Sequence, residues 1–137
     1  MIQIIVPGQP QGKGRARFAR QGKFVRAFTP EKTVAYEGLI ALAGQKVMEG
    51  RNLMDGPVYL TVEAIFAFPK SGWSQKKRAS RPIHWHVSKP DNDNIIKAVA
   101  DGLNGIVWKD DSQVALAKGS KFYGDVPRLI ITVEALP

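Results

Sequence analysis

A short stretch of this sequence contains acidic and basic side chains of the types that bind and hydrolyse phosphodiesters. Asp91 and Asp93 follow a proline, Lys97 comes next, and Asp110 and Asp111 lie further along the chain. Magnesium prefers carboxylate oxygens, and it commonly takes one or two of them while keeping water and phosphate oxygens as its other ligands. Asp91, Asp93 and Asp111 are therefore candidate metal ligands, and Asp110 is a candidate additional ligand.

The chemistry that these residues predict is hydrolysis of a phosphodiester. A cation held by the aspartates would polarise the phosphoryl oxygen and lower the pKa of an attacking water. Lys97 would lie one helical turn after Asp93 on the same face, where its ammonium group could stabilise charge on the phosphorane or the leaving oxygen. The sequence has no cysteine, which excludes a thiolate nucleophile and a thiolate zinc site.

An Asp-x-Asp pattern also occurs in other kinds of metal site. An EF-hand calcium loop needs an oxygen ligand and then a glycine at the positions where this sequence has Ile95 and Ile96. A nucleotide-sugar transferase is unattractive for so small and basic a chain. The remaining structural alternative is a capped helix, with Asp91 or Asn92 as the cap, followed by a polar turn.

The elements that must position these residues follow from the spacing of apolar side chains. Thr29-Pro30-Glu31 is typical of a helix start, with Thr29 as the cap, and Gly50 is a stop signal. The predicted strands cover 2–6, 58–68, 113–123 and 128–135, and the predicted helices cover 29–50 and 92–103. This order indicates an α+β fold in which a mixed sheet carries two main helices. The length of 137 residues fits one domain, 1–137.

The charge distribution predicts a nucleic-acid partner. The formal net charge is +8, and two basic loops, at about 7–28 and 69–89, contain no acid. The candidate DNA contacts are Lys13, Arg15, Arg17, Arg20, Lys76, Lys77, Arg78, Arg81 and Lys89. The alternative is that these basic runs are only solvated surface.

Aromatic residues accompany both basic loops. Phe18, Phe24 and Trp73 are of the type that stacks on unpaired bases. For each of them, anchoring of its loop to the core is the favoured interpretation. His84 and His86 would share one face of a short strand, where packing or phosphate contact is favoured over a metal site.

The cellular setting is predicted from absences. No apolar run approaches the length of a membrane span, and the start of the chain lacks a basic leader. We expect a cytoplasmic protein that has no membrane partner and no small-molecule cofactor beyond its metal.

The segment from Lys89 to Val114 resembles the RusA family of phage and prophage Holliday-junction endonucleases. It reads Lys-Pro-Asp-x-Asp-Asn-x-x-Lys, then Asp-Gly-Leu-Asn-Gly, then Trp-x-Asp-Asp-x-Gln-Val. The resemblance implies a homodimer that makes paired symmetric nicks across a four-way junction in DNA recombination and repair. It also implies a magnesium requirement, with manganese as a substitute. The family's catalytic aspartates fall on Asp91, Asp93 and Asp111, and its essential lysine falls on Lys97.

Two further hypotheses remain open at this point. One is a related nuclease that acts on flaps or replication forks, since it would need the same acids and the same basic surfaces. The other is a DNA-binding module without catalytic activity, in which the acids only cap helices and form hydrogen bonds.

Overall fold

The computed structural model describes residues 1–14, 17–28 and 30–137. The strands are β1 (Ile2–Pro7), β2 (Arg17–Gln21), β3 (Phe24–Phe28), β4 (Val58–Ala67), β5 (Val114–Gly124) and β6 (Arg128–Ala135). The helices are α1 (Glu31–Met48), α2 (Gln75–Ala79) and α3 (Asn92–Leu103), and a short 3-10 turn covers Asp111–Gln113. The predicted α+β class and the two main helices are confirmed.

Four of the strands form the main sheet, in the order β1-β6-β4-β5. The sheet is mixed, because β4 pairs parallel with β5 while the other pairs are antiparallel. Alternate side chains of β1, β4 and β6, such as Ile4, Leu60 and Ile131, are fully buried. They form one hydrophobic core with the inner faces of α1 and α3. The sheet therefore supplies a rigid support for α3, which carries the candidate catalytic residues.

The helices α1 and α3 approach each other closely at two glycines. A Cβ atom on Gly44 would lie 2.6 Å from a methyl carbon of Leu103, and one on Gly102 would lie 2.9 Å from Ile40. Such distances leave no room for a side chain at either position. Gly44 is therefore explained by packing between helices, although a glycine weakens the helix that contains it.

The start of α1 and the second basic loop differ from the prediction. The helix begins at Glu31 with Pro30 just before it, and Thr29, the predicted cap, lies outside the described residues. The loop 69–89 contains the short helix α2, which the sequence did not predict. The predicted strand near His84 is reduced to a single bridge between Trp85 and Phe122.

No helix in the described part of the chain is both long and apolar enough to cross a bilayer.

Candidate active site

The N-terminal end of α3 presents two exposed carboxylates. Asp91 occupies the cap position, but its side chain makes no capping hydrogen bond. Asp93 is also exposed, and neither carboxylate forms a salt bridge within the described residues. The predicted capping role of Asp91 is therefore wrong. Both carboxylates remain available to an external ligand.

Hydrogen bonds with β5 hold the segment around these carboxylates in place. The side-chain amide of Asn92 donates to the carbonyl oxygen of Gly119 at 2.9 Å, so Asn92 is not the cap either. The ammonium group of Lys121 donates to the carbonyl oxygens of Ser88 at 2.7 Å and Pro90 at 2.8 Å. The backbone on both sides of Asp91 is thus held in place while its side chain is exposed.

Sequence reasoning missed these supports, although one of them left a signal. A glycine inside a strand often marks a close backbone approach. A Cβ atom on Gly119 would lie 2.4 Å from Oδ1 of Asn92 and 2.9 Å from Ile96. No comparable signal singles out Lys121 among the other basic residues of the chain.

A cleft of about 680 Å³ lies beside Asp91. Its walls come from the first basic loop and the start of α3, and the backbone N–H of Lys13 donates to the carbonyl oxygen of Asn94 at 2.9 Å. Gly12 packs so closely that a Cβ atom there would lie 2.8 Å from Pro90. Lys89 and Asp91 also line the cleft. It therefore combines a carboxylate with a basic side chain, as a site for a metal and a phosphate requires.

Near the C-terminal end of α3, the carboxylates of Asp101 and Asp111 already have partners within the protein. The Lys13 ammonium group contacts Asp101 and lies 3.1 Å from Oε1 of Glu37. Asp111 accepts a hydrogen bond from the indole N–H of the fully buried Trp108 at 2.9 Å and lies near Asp101. A phosphate contact by Lys13 would have to compete with these carboxylates.

Burial and a neighbouring acid govern the ionisation of Asp111. Burial raises the pKa of this carboxyl above its ordinary value, and nearby Asp101 raises it further. The Trp108 N–H opposes the effect by stabilising the ionised form. Contact with Asp101 likewise raises the pKa of the Lys13 ammonium group.

The carboxylates at the two ends of α3 are far apart along the helix axis. Asp93 and Asp101 differ by eight positions, which corresponds to about 12 Å along the helix axis. No three acidic or histidine side chains of the described residues converge closely enough to hold one metal ion. The structure thus places Asp91 and Asp93 at one end and Asp111 at the other. Lys97 lies between them, exposed and without a salt bridge among the described residues.

Asp110, the candidate additional ligand, forms a capping box in the turn before β5. Its carboxylate accepts from the backbone N–H and the hydroxyl of Ser112, and these contacts lower its pKa. The Gln113 side-chain oxygen accepts in return from the N–H of Asp110 at 3.1 Å. Asp110 would have to leave Ser112 in order to bind a metal through the same oxygen.

Comparison with known proteins identifies the family. A family model described as Endodeoxyribonuclease RusA matches residues 7–134. The chain belongs to the RusA family. A relative from Bacillus subtilis (strain 168), named "Uncharacterized protein YqaN", is 33% identical over 136 residues, which cover 97% of this chain and 95% of the relative. The family is one of endodeoxyribonucleases, so the predicted class of enzyme is supported.

The second basic loop of this RusA-family chain is folded around aromatic side chains. The rings of Phe68 and Tyr123 lie 5.1 and 5.4 Å from that of Trp73. The Lys77 ammonium group sits 4.2 Å from the Trp73 ring, and the Arg78 guanidinium group sits 4.7 Å from Phe68. The anchoring role that was favoured for Trp73 is confirmed.

The two histidines of this loop also pack. His86 stacks on Phe66 with ring centroids 3.7 Å apart, and His84 meets the edge of Trp73. The basic side chains Lys76, Lys77, Arg78 and Arg81 are exposed around this cluster. Their DNA contacts, and that of exposed Lys89, remain predictions.

In the first basic loop of this RusA-family chain, by contrast, the aromatic side chains Phe18 and Phe24 are exposed. Phe18 is 72% exposed and Phe24 is 79% exposed, so the anchoring role favoured for both is wrong. Arg20 is exposed on the same hairpin. Arg15 and the side chain of Arg17 lie outside the described residues.

Proposed function

We propose that this protein is a Holliday-junction resolvase that hydrolyses two opposing strands of a four-way DNA junction during recombination and repair. The observation that carries the proposal is the pair of exposed carboxylates, Asp91 and Asp93, of which Asp91 lines a cleft that also contains Lys13 and Lys89. Neither side chain caps the helix or pairs with a cation within the described residues. Membership of the RusA family supports the choice of substrate.

The donor set at this end of α3 fits a hard divalent cation. Asp91 and Asp93 offer carboxylate oxygens, which magnesium and manganese accept as ligands together with water and phosphate oxygens. A magnesium ion bound there would polarise the scissile phosphoryl group and lower the pKa of the attacking water. Asn92 and Lys121 fix the backbone that carries these carboxylates, so the ligands need little rearrangement to bind.

The remaining catalytic groups are Lys97 on the same helix and Asp111 in the turn before β5. Lys97 follows Asp93 by one turn on the same face, where its exposed ammonium group would stabilise negative charge on the reacting phosphate. Asp111 lies near Asp101, which is about 12 Å from Asp93 along the helix axis. In this proposal it therefore acts on the same ion only where a second protomer or the bound DNA brings it to Asp93.

A homodimer is part of the proposal. A four-way junction has two-fold symmetry, and a two-fold dimer presents two sites to opposing strands. One site makes a single nick, whereas resolution into ligatable duplexes requires two coordinated cuts.

The test compares cleavage of a labelled four-way junction with cleavage of a matched linear duplex, in magnesium or in EDTA. The proteins are wild type, Asp93→Asn and the control Asp55→Asn, which removes the same charge from a side chain that is 85% exposed. We expect paired symmetric cuts in the junction that require magnesium, vanish in Asp93→Asn and persist in Asp55→Asn.

Other outcomes would contradict the proposal. Tight junction binding without cutting in any metal would indicate a binding module. Faster cutting of flaps or forks than of four-way junctions would indicate the related nuclease instead. Mass measurement in solution tests the homodimer separately.

A further inference from the structure

The strands β2 and β3 form a hairpin that pairs with no other strand of the described residues. Its side chains are exposed where described, including Phe18, Phe24 and Val25 at 72%, 79% and 67%. Large apolar side chains in such exposed positions suggest a surface that is covered by a partner. By contrast, Trp73 of the second basic loop packs on Phe68 and Tyr123.

The two phenylalanines lie on opposite faces of the hairpin. In an antiparallel pair, residues directly opposite each other share a face and successive residues alternate. Phe18 is opposite Ala27 and therefore shares a face with Arg20 and Val25. Phe24 lies on the other face, as does Arg26, which is opposite Ala19. Each face thus combines at least one phenylalanine with at least one arginine.

The charge of this region fits a polyanion. The sequence contains no acidic residue before Glu31. Arg20, Lys23 and Arg26 are all exposed on the hairpin. Cations attract phosphates, and exposed aromatic rings offer stacking surfaces to bases that are not already stacked in a duplex.

The hairpin begins next to the cleft that contains Asp91. Gly14 lines that cleft, and its N–H donates to the hydroxyl oxygen of Thr33 at 2.8 Å. The first strand of the hairpin starts at Arg17. Three residues of extended chain span at most about 11 Å, so the base of the hairpin lies within that distance of the cleft wall.

From these features we propose that the hairpin is inserted at the branch point of the DNA, where it separates two strands. Unpaired bases stack on Phe18 at one face and on Phe24 at the other, while Arg20 and Arg26 bind the phosphates of the two strands. This inference rests on the proposed function, because a branched substrate supplies the unpaired bases.

The experiment measures binding of the full chain in EDTA to a four-way junction, a single strand and a linear duplex at one salt concentration. The variants are Phe18→Ala, Phe24→Ala and their combination, and the control is Val126→Ala, which truncates an exposed apolar side chain outside the hairpin. We expect each phenylalanine variant to weaken junction and single-strand binding by about 10-fold, and the double variant by about 100-fold. Duplex binding should stay within about two-fold of wild type, as should every affinity of Val126→Ala.

A second pair of measurements separates stacking from charge. Arg20→Gln/Arg26→Gln should weaken binding to all three DNAs and reduce the salt dependence of binding. A fluorescent adenine analogue at the branch point should respond to wild type and lose that response in the double phenylalanine variant. Circular dichroism should show unchanged folding, because the substituted side chains are exposed.

The inference and the proposed function fail in different ways. If junction binding is insensitive to both phenylalanines, or falls together with duplex binding, the inference is overturned even when Asp93-dependent cutting persists. The inference is likewise overturned if only one face matters. If wild type does not cut junctions although single-strand binding depends on both phenylalanines, the proposed function fails and the stacking surface stands.

Discussion

The two ends of α3 present the same residue type in opposite conditions. At the N-terminal end, Asp91 and Asp93 are exposed and form no salt bridge within the described residues. At the C-terminal end, Asp101 contacts Lys13, and Asp111 lies near Asp101 and accepts a hydrogen bond from Trp108. The structure therefore separates carboxylates available to a ligand from carboxylates already used by the protein.

This difference has consequences for stability. An exposed carboxylate without a partner can be removed at little cost to folding, because water solvates it in the folded and unfolded states alike. A partly buried carboxylate or cation in a network affects folding, because its loss leaves an opposite charge unneutralised, as at Lys13, or relieves repulsion from a like charge, as at Asp111. Substitutions at the N-terminal end of α3 should therefore change activity with little effect on stability. Substitutions at the C-terminal end should change stability as well.

The largest effect is expected for Asp91→Asn. Loss of a proposed metal ligand should lower junction cleavage by at least about 100-fold, since transition-state charge is no longer stabilised. The free energy of unfolding should change by less than about 0.5 kcal/mol, because the side chain is exposed and makes no capping bond. Cleavage assays and urea denaturation check both expectations. A stability loss large enough to explain the lost activity would remove the distinction between the two ends.

Asp111→Asn should also lower cleavage by about 100-fold if Asp111 reaches the metal. It should raise the melting temperature, because a neutral amide still accepts from Trp108 and no longer repels Asp101. The native pKa of this carboxyl is raised above 3.8, so its ionisation costs stability at higher pH. The gain should therefore vanish as the pH falls below 3.8, where both proteins are neutral at this position.

Thermal melts of Asp111→Asn across this pH range test that expectation, with exposed Asp125→Asn as the control. A lower melting temperature at neutral pH would show that ionised Asp111 stabilises the fold, contrary to the comparison. Full activity of Asp111→Asn would restrict the catalytic acids to the N-terminal end.

Gly119→Ala, a substitution in β5, should disturb the N-terminal end of α3. The added Cβ atom would lie 2.4 Å from Oδ1 of Asn92, so the bond that fixes the start of α3 must shift. We expect a destabilisation of about 1–3 kcal/mol together with reduced cleavage. Gly38→Ala is the matched control, because no atom of the described residues lies within 4 Å of its added atom. That substitution should stabilise α1 by about 0.5–1 kcal/mol, and equal effects of the two would contradict the close packing.

Lys13→Met should destabilise the C-terminal end by about 1–2 kcal/mol, because Glu37 and Asp101 lose their shared cation. The additional substitution Asp101→Asn should restore part of the loss, which denaturation of the double variant would measure. Since the native pKa of Lys13 is raised above 10.5, its contribution is fully present below pH 10.5 and is lost as the pH rises through the raised value. If Asp101→Asn does not reduce the destabilisation caused by Lys13→Met, the two residues do not stabilise the fold through their ion pair.

Much of the fold could be predicted because its signals are local. Strict alternation predicted β4, and helical spacing with terminal glycines predicted α3, with errors confined to the ends of elements. The short helix α2 was missed, because it buries none of its side chains and so shows no apolar pattern. The helix α2 lies next to Trp73, which packs on Phe68 and Tyr123. That packing joins segments that are distant in sequence.

The candidate site was predictable in its residue types but not in its arrangement. Phe18 and Trp73 lie in similar basic sequences, yet one is exposed and the other packs. Nothing local distinguishes them, since the partners of Trp73 come from the ends of β4 and β5.

The sequence by itself determined the acids, the lysine and the basic loops, because carboxylate chemistry and motif spacing do not depend on folding. Only the tertiary structure decided which carboxylates are available. The Gly119 carbonyl and the Lys121 ammonium group hold the start of α3 while leaving Asp91 exposed. Lys13, from the other end of the chain, neutralises Asp101. Hydrogen bonds and ion pairs act over a few ångströms, so partners that are far apart in sequence become effective only when packing brings them together.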